Sequence, residues 1–267
     1  MKSVERGYAE VEGASLYYEL IGAGPTLVLL HGFSFDTTIW DGQIDAFSLK
    51  YRVLRYDLRG FGRSKSAEVS YTHAGDLKAL LTFLKIESAI LTGLSLGGGA
   101  AINFALTYPG IAWAMVLVAP SLGGFKWSAG VASAQLSLQA RAREKGIETT
   151  RELWLRQTIF RHAMNNADVS AKLREMVGRY SGWHWTHADL GKPLSPPAIT
   201  RLGEIKIPTL VLVGDADAPD QLRIAETLER GIAGAKTIVF PGAGHLLNLE
   251  EPLLFNERVL NFLRDVV

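Results

Sequence analysis

The chain has 267 residues, of which 48% are hydrophobic and 21% are charged, and its formal net charge is +1. These values are typical of one globular core, or of one core with an inserted subdomain, and the absence of a basic stripe argues against a nucleic-acid or anionic-membrane partner. Because the chain has no cysteine, disulfides, a cysteine nucleophile and cysteine-ligated metals are excluded.

The first residues, MKSVERGYAEVEG, lack the apolar stretch of a signal peptide. The apolar runs of the sequence are far shorter than the roughly 20 residues that a membrane span needs. We therefore expect a cytoplasmic protein without a membrane partner. The sequence carries no signal for an oligomeric state.

Short apolar runs alternate with helical patterns along most of the chain. Two alternating segments, at 8–11 and 15–20, predict an N-terminal hairpin. The later runs have the continuous hydrophobicity of strands buried on both faces of a parallel sheet. They lie at 26–30, 53–56, 89–92, 114–119, 209–213 and 237–240, with helical patterns at 73–84, 98–108, 220–231 and 252–266. This alternation predicts an α/β fold with a mostly parallel sheet flanked by helices.

The alternation stops between residues 122 and 202. This stretch has helical patterns without a convincing strand, and a capping-box sequence, TTRE at 149–152, predicts the start of one helix. We interpret 122–202 as a helical lid inserted into a core domain formed by 1–121 and 203–267. Four of the six tryptophans lie in it, and they suit an acyl pocket and the anchoring of lid helices equally well. They are Trp127, Trp154, Trp183 and Trp185.

The pentapeptide GLSLG at 93–97 lies between an apolar run and a helical pattern. In that context G-x-S-x-G places the serine at the apex of a strained turn, and the glycines allow the strand and helix to pack closely. The turn also puts the amide of Leu96 at a helix N-terminus, which favours negative charge. The pattern therefore predicts an acyl-transfer site with Ser95 as the nucleophile.

A serine hydroxyl needs a base within hydrogen-bond reach, and that base needs an orienting carboxylate. His245, in the glycine-rich sequence PGAGH, is the candidate base. Asp215, Asp217 and Asp220 are candidate acids, and each also suits the capping of a helix near residue 220. All of them follow predicted strands, at the edge where open α/β sheets place their sites.

The sequence HGFS at 31–34 follows the first long apolar run. We expect the backbone N–H of Phe33 to form an oxyanion hole with that of Leu96. A substrate pocket bounded by Phe33, Ser34, Leu96 and Leu246 suits an apolar acyl or ring group of modest size. The histidines show no convincing zinc-ligand spacing, and we expect neither a metal nor another cofactor.

Five motifs now stand in order along the chain: HGFS, YDLRGFGRS at 56–64, GLSLGG at 93–98, VLVGDAD at 211–217 and GAGHLLNLEEP at 242–252. With them the chain resembles an α/β-hydrolase over nearly its whole length. It is most similar to lid-bearing bacterial carboxylesterases and to oxoadipate enol-lactonase-like enzymes. The resemblance implies a serine hydrolase of a small ester or lactone, selects Asp217 as the acid, and assigns His31 to ordering the oxyanion loop.

Two alternatives stay open. Carbon–carbon bond hydrolases of vinylogous diketones share this fold and triad, but they typically carry a G-x-G-P-G-type run and a tryptophan after the catalytic histidine. This chain has GFSFD at 32–36 and Leu246 at those places. The second alternative is a ligand sensor that uses the scaffold without turnover. Perhydrolysis or haloperoxidase-like activity also stays open as a side reaction of the same triad. Dehalogenases and epoxide hydrolases need an aspartate in place of Ser95, so the resemblance excludes them.

Overall fold

A computed structural model describes residues 4–66 and 68–266. An eight-stranded sheet forms its centre, in the order β1-β2-β4-β3-β5-β6-β7-β8. Its strands are β1 (Val4–Val11), β2 (Ala14–Ile21), β3 (Thr26–Leu30), β4 (Arg52–Tyr56), β5 (Ala89–Leu94), β6 (Ala112–Val118), β7 (Thr209–Gly214) and β8 (Lys236–Phe240). β2 pairs antiparallel with β1 and β4, and the pairs from β4 through β8 are parallel. The predicted α/β fold with a mostly parallel sheet is confirmed.

Helices flank this sheet on both faces. The helices of the described chain are α1 (Asp41–Phe47), α2 (His73–Phe83), α3 (Leu96–Thr107), α4 (Ala129–Leu155), α5 (Ala167–Arg179), α6 (Trp183–Thr186), α7 (Pro219–Gly231), α8 (Leu247–Glu250) and α9 (Pro252–Val266), of which α4, α5 and α6 lie between β6 and β7. Leu27 and Leu29 of β3 lie in one hydrophobic core with α1 and α9, whereas Val28 and Leu30 lie in another with α2, α3 and α7. Burial on both faces explains why this strand is a continuous apolar run.

Residues 122–202, which we call the 122–202 segment, connect β6 to β7. They contain α4, α5 and α6, together with an isolated bridge between Gly191 and Tyr71. The helical content agrees with the sequence pattern, while the role of a lid stays a prediction. Within the ranges 4–66 and 68–266, no helix combines the length and hydrophobicity that crossing a bilayer requires.

The predicted helix start at the TTRE sequence, 149–152, is wrong. The break in α4 lies earlier, at Gly146, which has φ 80° and ψ 173°. Glycine adopts this conformation without a Cβ clash, so it separates two helical halves. The hydroxyl of Thr150 donates to the carbonyl of Gly146 at 2.9 Å, as a residue inside a helix does, instead of capping a new one.

Candidate active site

Ser95 forms the turn between β5 and α3. Its φ of 52° and ψ of −111° lie in a region that non-glycine residues rarely adopt, at a cost of roughly 1–3 kcal/mol. Its amide donates to the carbonyl of Val118, and its carbonyl accepts from the amide of Ser121, both at 2.9 Å. The end of β6 and the residues after it therefore hold the strained turn from both sides.

Close packing explains the two glycines of the turn. A Cβ on Gly93 would overlap the carbonyl of Gly97, and one on Gly97 would overlap the carbonyl of Leu30 in β3. Any side chain at these positions would push α3 away from β5. The glycines thus allow the helix to begin directly behind Ser95, at the end of a central strand.

His245 and Asp217 form a buried hydrogen-bonded pair after β8 and β7. Nδ1 of His245 lies 2.8 Å from Oδ2 of Asp217, and the two residues are 2% and 7% exposed. Oδ1 of Asp217 accepts from the amide of Ala218 at 2.6 Å. Because the Asp217 carboxylate can only accept a hydrogen bond, Nδ1 of His245 carries the proton and Nε2 is left as an acceptor. Ser95 and His245 line the same cavity.

The three candidate aspartates have different partners. Asp215 accepts from the amide of Gly242 at 2.7 Å. Asp220 accepts from the amide of Ser128 at 2.9 Å and forms an ion pair with Arg223. Of the three, Asp217 is the one hydrogen-bonded to His245. Asp215 therefore braces the histidine loop, and Asp220 fastens the start of the 122–202 segment to α7.

The peptide between Gly32 and Phe33 is held in one orientation. Its carbonyl accepts from Nδ1 of His31 at 2.8 Å and from the amide of Phe35 at 3.3 Å. Because a trans peptide is planar, the N–H of Phe33 points the opposite way. A Cβ on Gly32 would lie 3.5 Å from the Cβ of Ser95. This loop, residues 31–35, therefore lies directly against the Ser95 turn, and we call it the oxyanion loop after the role that the sequence predicts for it.

His31 uses both ring nitrogens to order this loop. Besides the bond from Nδ1, its Nε2 accepts from the amide of Leu58 at 2.9 Å. The ring is fully buried, and burial lowers its pKa, so it stays neutral. This geometry agrees with the ordering role that the sequence predicts.

Two backbone amides near Ser95 are available to a ligand oxygen. Leu96 is the first residue of α3, so its N–H has no acceptor within the helix. Within the described part of the chain, no backbone carbonyl accepts from the N–H of Phe33. Both side chains line the cavity next to Ser95.

This cavity has a volume of about 800 Å³. Of the predicted pocket residues, Phe33 and Leu96 line it, and Ser34 and Leu246 do not. Ser34 is fully buried, and its Oγ accepts from Nε1 of Trp154 at 2.7 Å. Leu246 packs into the core with α9. The predicted pocket is therefore corrected at these two positions.

Most of the cavity wall comes from the 122–202 segment and α7. Trp127, Trp154 and Trp185 line it, together with the polar residues His184, Asp189, Asp220, Gln221 and Arg223. From the sequence, the tryptophans suit lining a pocket and anchoring lid helices equally well, and Asp220 is only a candidate acid or helix cap. The one signal that could have placed residues 220–223 at the cavity is their proximity to Asp217 along the chain.

His184 is a neutral member of this wall. Burial lowers its pKa to about 4. Its ring stacks on Phe61 with centroids 4.3 Å apart, and Nδ1 lies 2.8 Å from the hydroxyl of Tyr180. That hydroxyl accepts from the amide of His184, so its proton points to Nδ1.

No group of three or more metal-ligating side chains was found among residues 4–66 and 68–266.

Comparison with known proteins defines the class. The sequence profile of the alpha/beta hydrolase family matches residues 27–258, and the chain belongs to this family. A 2-hydroxy-6-oxononadienedioate/2-hydroxy-6-oxononatrienedioate hydrolase from Paraburkholderia phymatum is 31% identical over 260 residues. That match covers 93% of this chain and 90% of the relative.

The solved structures that resemble this chain are also hydrolases, but their names state other substrate classes. The enol-lactonase from Burkholderia xenovorans superposes with a TM-score of 0.78 at 28% identity, over 97% of this chain and 100% of the other. Carboxylesterase CesB (YbfK) from Bacillus subtilis superposes with a TM-score of 0.80 at 25% identity, over 99% and 93%. The chain is thus a hydrolase of the α/β family, and the substrate class differs among its relatives.

Proposed function

We propose that this chain is a serine hydrolase that cleaves carboxylic esters or lactones through an acyl-enzyme intermediate. Ser95 is the nucleophile, His245 the general base, and Asp217 the carboxylate that orients the base. The observation that carries the proposal is the buried 2.8 Å bond between His245 and Asp217, in the same cavity as a serine held at positive φ. Strain of this kind concentrates where geometry serves chemistry.

The chemistry follows from the tautomer of His245. Its free Nε2 takes the hydroxyl proton while Oγ of Ser95 attacks the carbonyl carbon. The amides of Phe33 and Leu96 receive the negative oxygen, and one such donor is worth on the order of 10²–10³ in rate. His245 returns the proton to the leaving alkoxide. Water, deprotonated by the same imidazole, then releases the acid from Ser95.

In this proposal the 122–202 segment is a lid on the core domain, 1–121 and 203–267. Its tryptophans at 127, 154 and 185 form an apolar wall, and Phe33 and Leu96 line the same cavity. The volume of about 800 Å³ lies in the upper part of the roughly 300–1,000 Å³ typical of small-molecule sites. The site therefore suits an ester with a larger acyl or ring group than an acetyl.

The charges of the wall favour a neutral substrate. Of the lining residues, Arg223 is the one with a permanent positive charge, and Asp220 already pairs with it. Within the described part of the chain Asp189 has no ion pair; its Oδ1 accepts from the hydroxyl of Tyr71 at 3.0 Å. Because Asp189 is exposed, water screens its charge, and it repels a substrate carboxylate only weakly. Since the one permanent cation among the lining residues is already paired, an anionic enol-lactone is still disfavoured.

A carbon–carbon bond hydrolase is the second candidate. The observation that favours it is the 31% identity to the dienedioate hydrolase. Turnover of 2-hydroxy-6-oxononadienedioate should be compared with that of p-nitrophenyl butyrate and of a p-nitrophenyl ester with a terminal carboxylate. We expect at least tenfold higher kcat/KM for the neutral ester. A clear preference for the dienedioate would replace the ester proposal with this candidate.

The nucleophile is tested by Ser95→Ala. We expect sustained turnover of p-nitrophenyl butyrate by the wild-type protein and a loss of more than about 10³-fold in the variant. Full activity of the variant would refute the assignment. A single turnover without recycling in the wild-type protein would support a ligand sensor instead, since a sensor holds its ligand without releasing product.

A further inference from the structure

We propose that Trp154 of the 122–202 segment is a positioning residue for the oxyanion hole, acting through its hydrogen bond to Ser34. This inference rests on the proposed serine-hydrolase function. Nε1 of Trp154 donates to Oγ of Ser34 at 2.7 Å, across 120 positions of the chain. Ser34 directly follows Phe33, whose amide is one of the two proposed oxyanion donors.

The backbone at Ser34 needs an external restraint. Its φ is 66°, in the left-handed region, and its side chain is fully buried. Within the described residues, three of the four non-glycine residues at positive φ follow strands beside the cavity: Ser34 after β3, Ser95 after β5 and Ala119 after β6. A non-glycine residue keeps such a conformation only where its surroundings hold it. For Ser34, the turn bond from the Phe35 amide to the Gly32 carbonyl restrains the backbone, and the indole of Trp154 holds the side chain.

The same indole also holds the side chain of Phe33. The rings of Trp154 and Phe33 meet edge to face with centroids 5.4 Å apart. Trp154 therefore contacts two consecutive residues of the oxyanion loop, one by a hydrogen bond and one by ring packing. His31 fixes the preceding peptide from the core side. Trp154 thus adds a restraint from the 122–202 segment to those that His31 and Phe61 provide from the core.

Trp154 also lines the cavity, so one side chain contacts both the substrate space and the oxyanion loop. Loss of the indole would remove the bond to Ser34 and one ring contact of Phe33 together. The bonds from His31 and Phe35 to the Gly32 carbonyl would remain, so the amide of Phe33 would be displaced rather than released.

The test is a double-mutant cycle of Trp154→Phe and Ser34→Ala. Trp154→Phe keeps an aromatic ring and removes the N–H, and Ser34→Ala removes the acceptor. Each single variant should lower kcat for p-nitrophenyl butyrate about tenfold, because the Phe33 donor is displaced rather than removed. The double variant should be no worse than either single variant, since all three lack the same bond. Additive losses would overturn the proposal.

A second readout separates positioning from a structural role. A trifluoromethyl ketone forms a tetrahedral adduct on the serine and places its oxyanion in the hole. Its inhibition constant should rise about tenfold in Trp154→Phe, in step with the loss of kcat/KM. If the constant is unchanged while thermal stability falls, Trp154 is structural and the proposal fails.

Controls distinguish this proposal from the one on which it rests. Trp113→Phe changes a half-buried tryptophan of β6 that does not line the cavity, and kcat should stay within twofold of the wild-type value. Ser95→Ala should be inactive whether or not Trp154 matters. An inactive Ser95→Ala together with a fully active Trp154→Phe would overturn the positioning role and leave the serine-hydrolase function intact.

Discussion

The carboxylate of Glu250 accepts hydrogen bonds from the backbone amides of the residues before and after His245. Its Oε2 accepts from the amide of Gly244 at 2.6 Å, and its Oε1 accepts from the amide of Leu246 at 2.9 Å. Nδ1 of His162, in the 122–202 segment, lies 2.6 Å from Oε2, and the Glu250 side chain is only 4% exposed. A single buried carboxylate therefore fixes the backbone that carries the proposed base.

Glu250→Gln should weaken this clamp. An amide presents one acceptor and one donor, so its NH₂ faces a backbone N–H and at least one bond is lost. We expect a loss of about 1–3 kcal/mol in stability, or roughly 2–12 °C in Tm, with about a tenfold loss of kcat. Calorimetry and ester turnover measure both effects. Glu251→Gln, at the exposed neighbouring position, is the matched control; equal behaviour of the two variants would refute the clamp.

Asp217→Asn should be far more harmful than Asp215→Asn. The amide at 217 presents a donor to Nδ1 of His245 and favours the tautomer that cannot accept a proton from Ser95. We expect kcat to fall about 10⁴-fold with little change in KM. Asp215 accepts from Gly242 and does not bond to the ring, so its variant should lose less than tenfold. A larger loss at 215 than at 217 would exchange their roles.

Stability should fall as the pH drops from 6.5 towards 4. Burial lowers the pKa of His184 to about 4 from 6.5, and it lowers that of His31 as well. In this range the unfolded imidazole binds a proton that the folded one does not, so unfolding takes up protons and acid favours it. His184→Gln should reduce the slope of unfolding free energy against pH by up to about 1.4 kcal/mol per unit.

Denaturant unfolding at several pH values measures that slope. If His184→Gln leaves the slope unchanged, the folded protein does not hold His184 neutral over this pH range, contrary to its buried environment.

Alanine at two glycines should shift stability in opposite directions. Gly97→Ala puts a Cβ into the carbonyl of Leu30, which is backbone and cannot rotate away. We expect a loss of about 3 kcal/mol, or roughly 6–12 °C in Tm. Gly178 lies in α5 with open space at its Cβ position, so Gly178→Ala should gain about 0.5–1 kcal/mol. A Gly97→Ala protein that melts at or above the wild-type temperature would contradict this account of the Ser95 turn.

The sheet and the residues following its strands were predictable from sequence because their signals are local. A continuous apolar run predicts β3 or β5, and G-x-S-x-G between such a run and a helical pattern predicts the turn at Ser95. Strand ends in a parallel sheet also meet at one edge. The sequence could therefore predict that Ser95, His245 and the candidate aspartates lie at one edge, and the family resemblance selected Asp217 among the aspartates.

The surroundings of the site were not predictable because they depend on contacts between distant residues. The bond from Trp154 to Ser34 joins positions 120 apart, and that from His162 to Glu250 joins positions 88 apart. Nothing in the sequence near Ser34 distinguishes a pocket residue from one buried under an indole. The pairing depends on how the 122–202 segment packs on the core, which a local pattern does not encode.

The central claim is most directly tested by locating the covalent adduct of a fluorophosphonate through peptide mass spectrometry. We predict one adduct on the wild-type protein, on the peptide that contains Ser95, and a much slower reaction in His245→Ala because the base is missing. An adduct on a different residue, or equal labelling of Ser95→Ala, would contradict the assignment of Ser95 as the nucleophile.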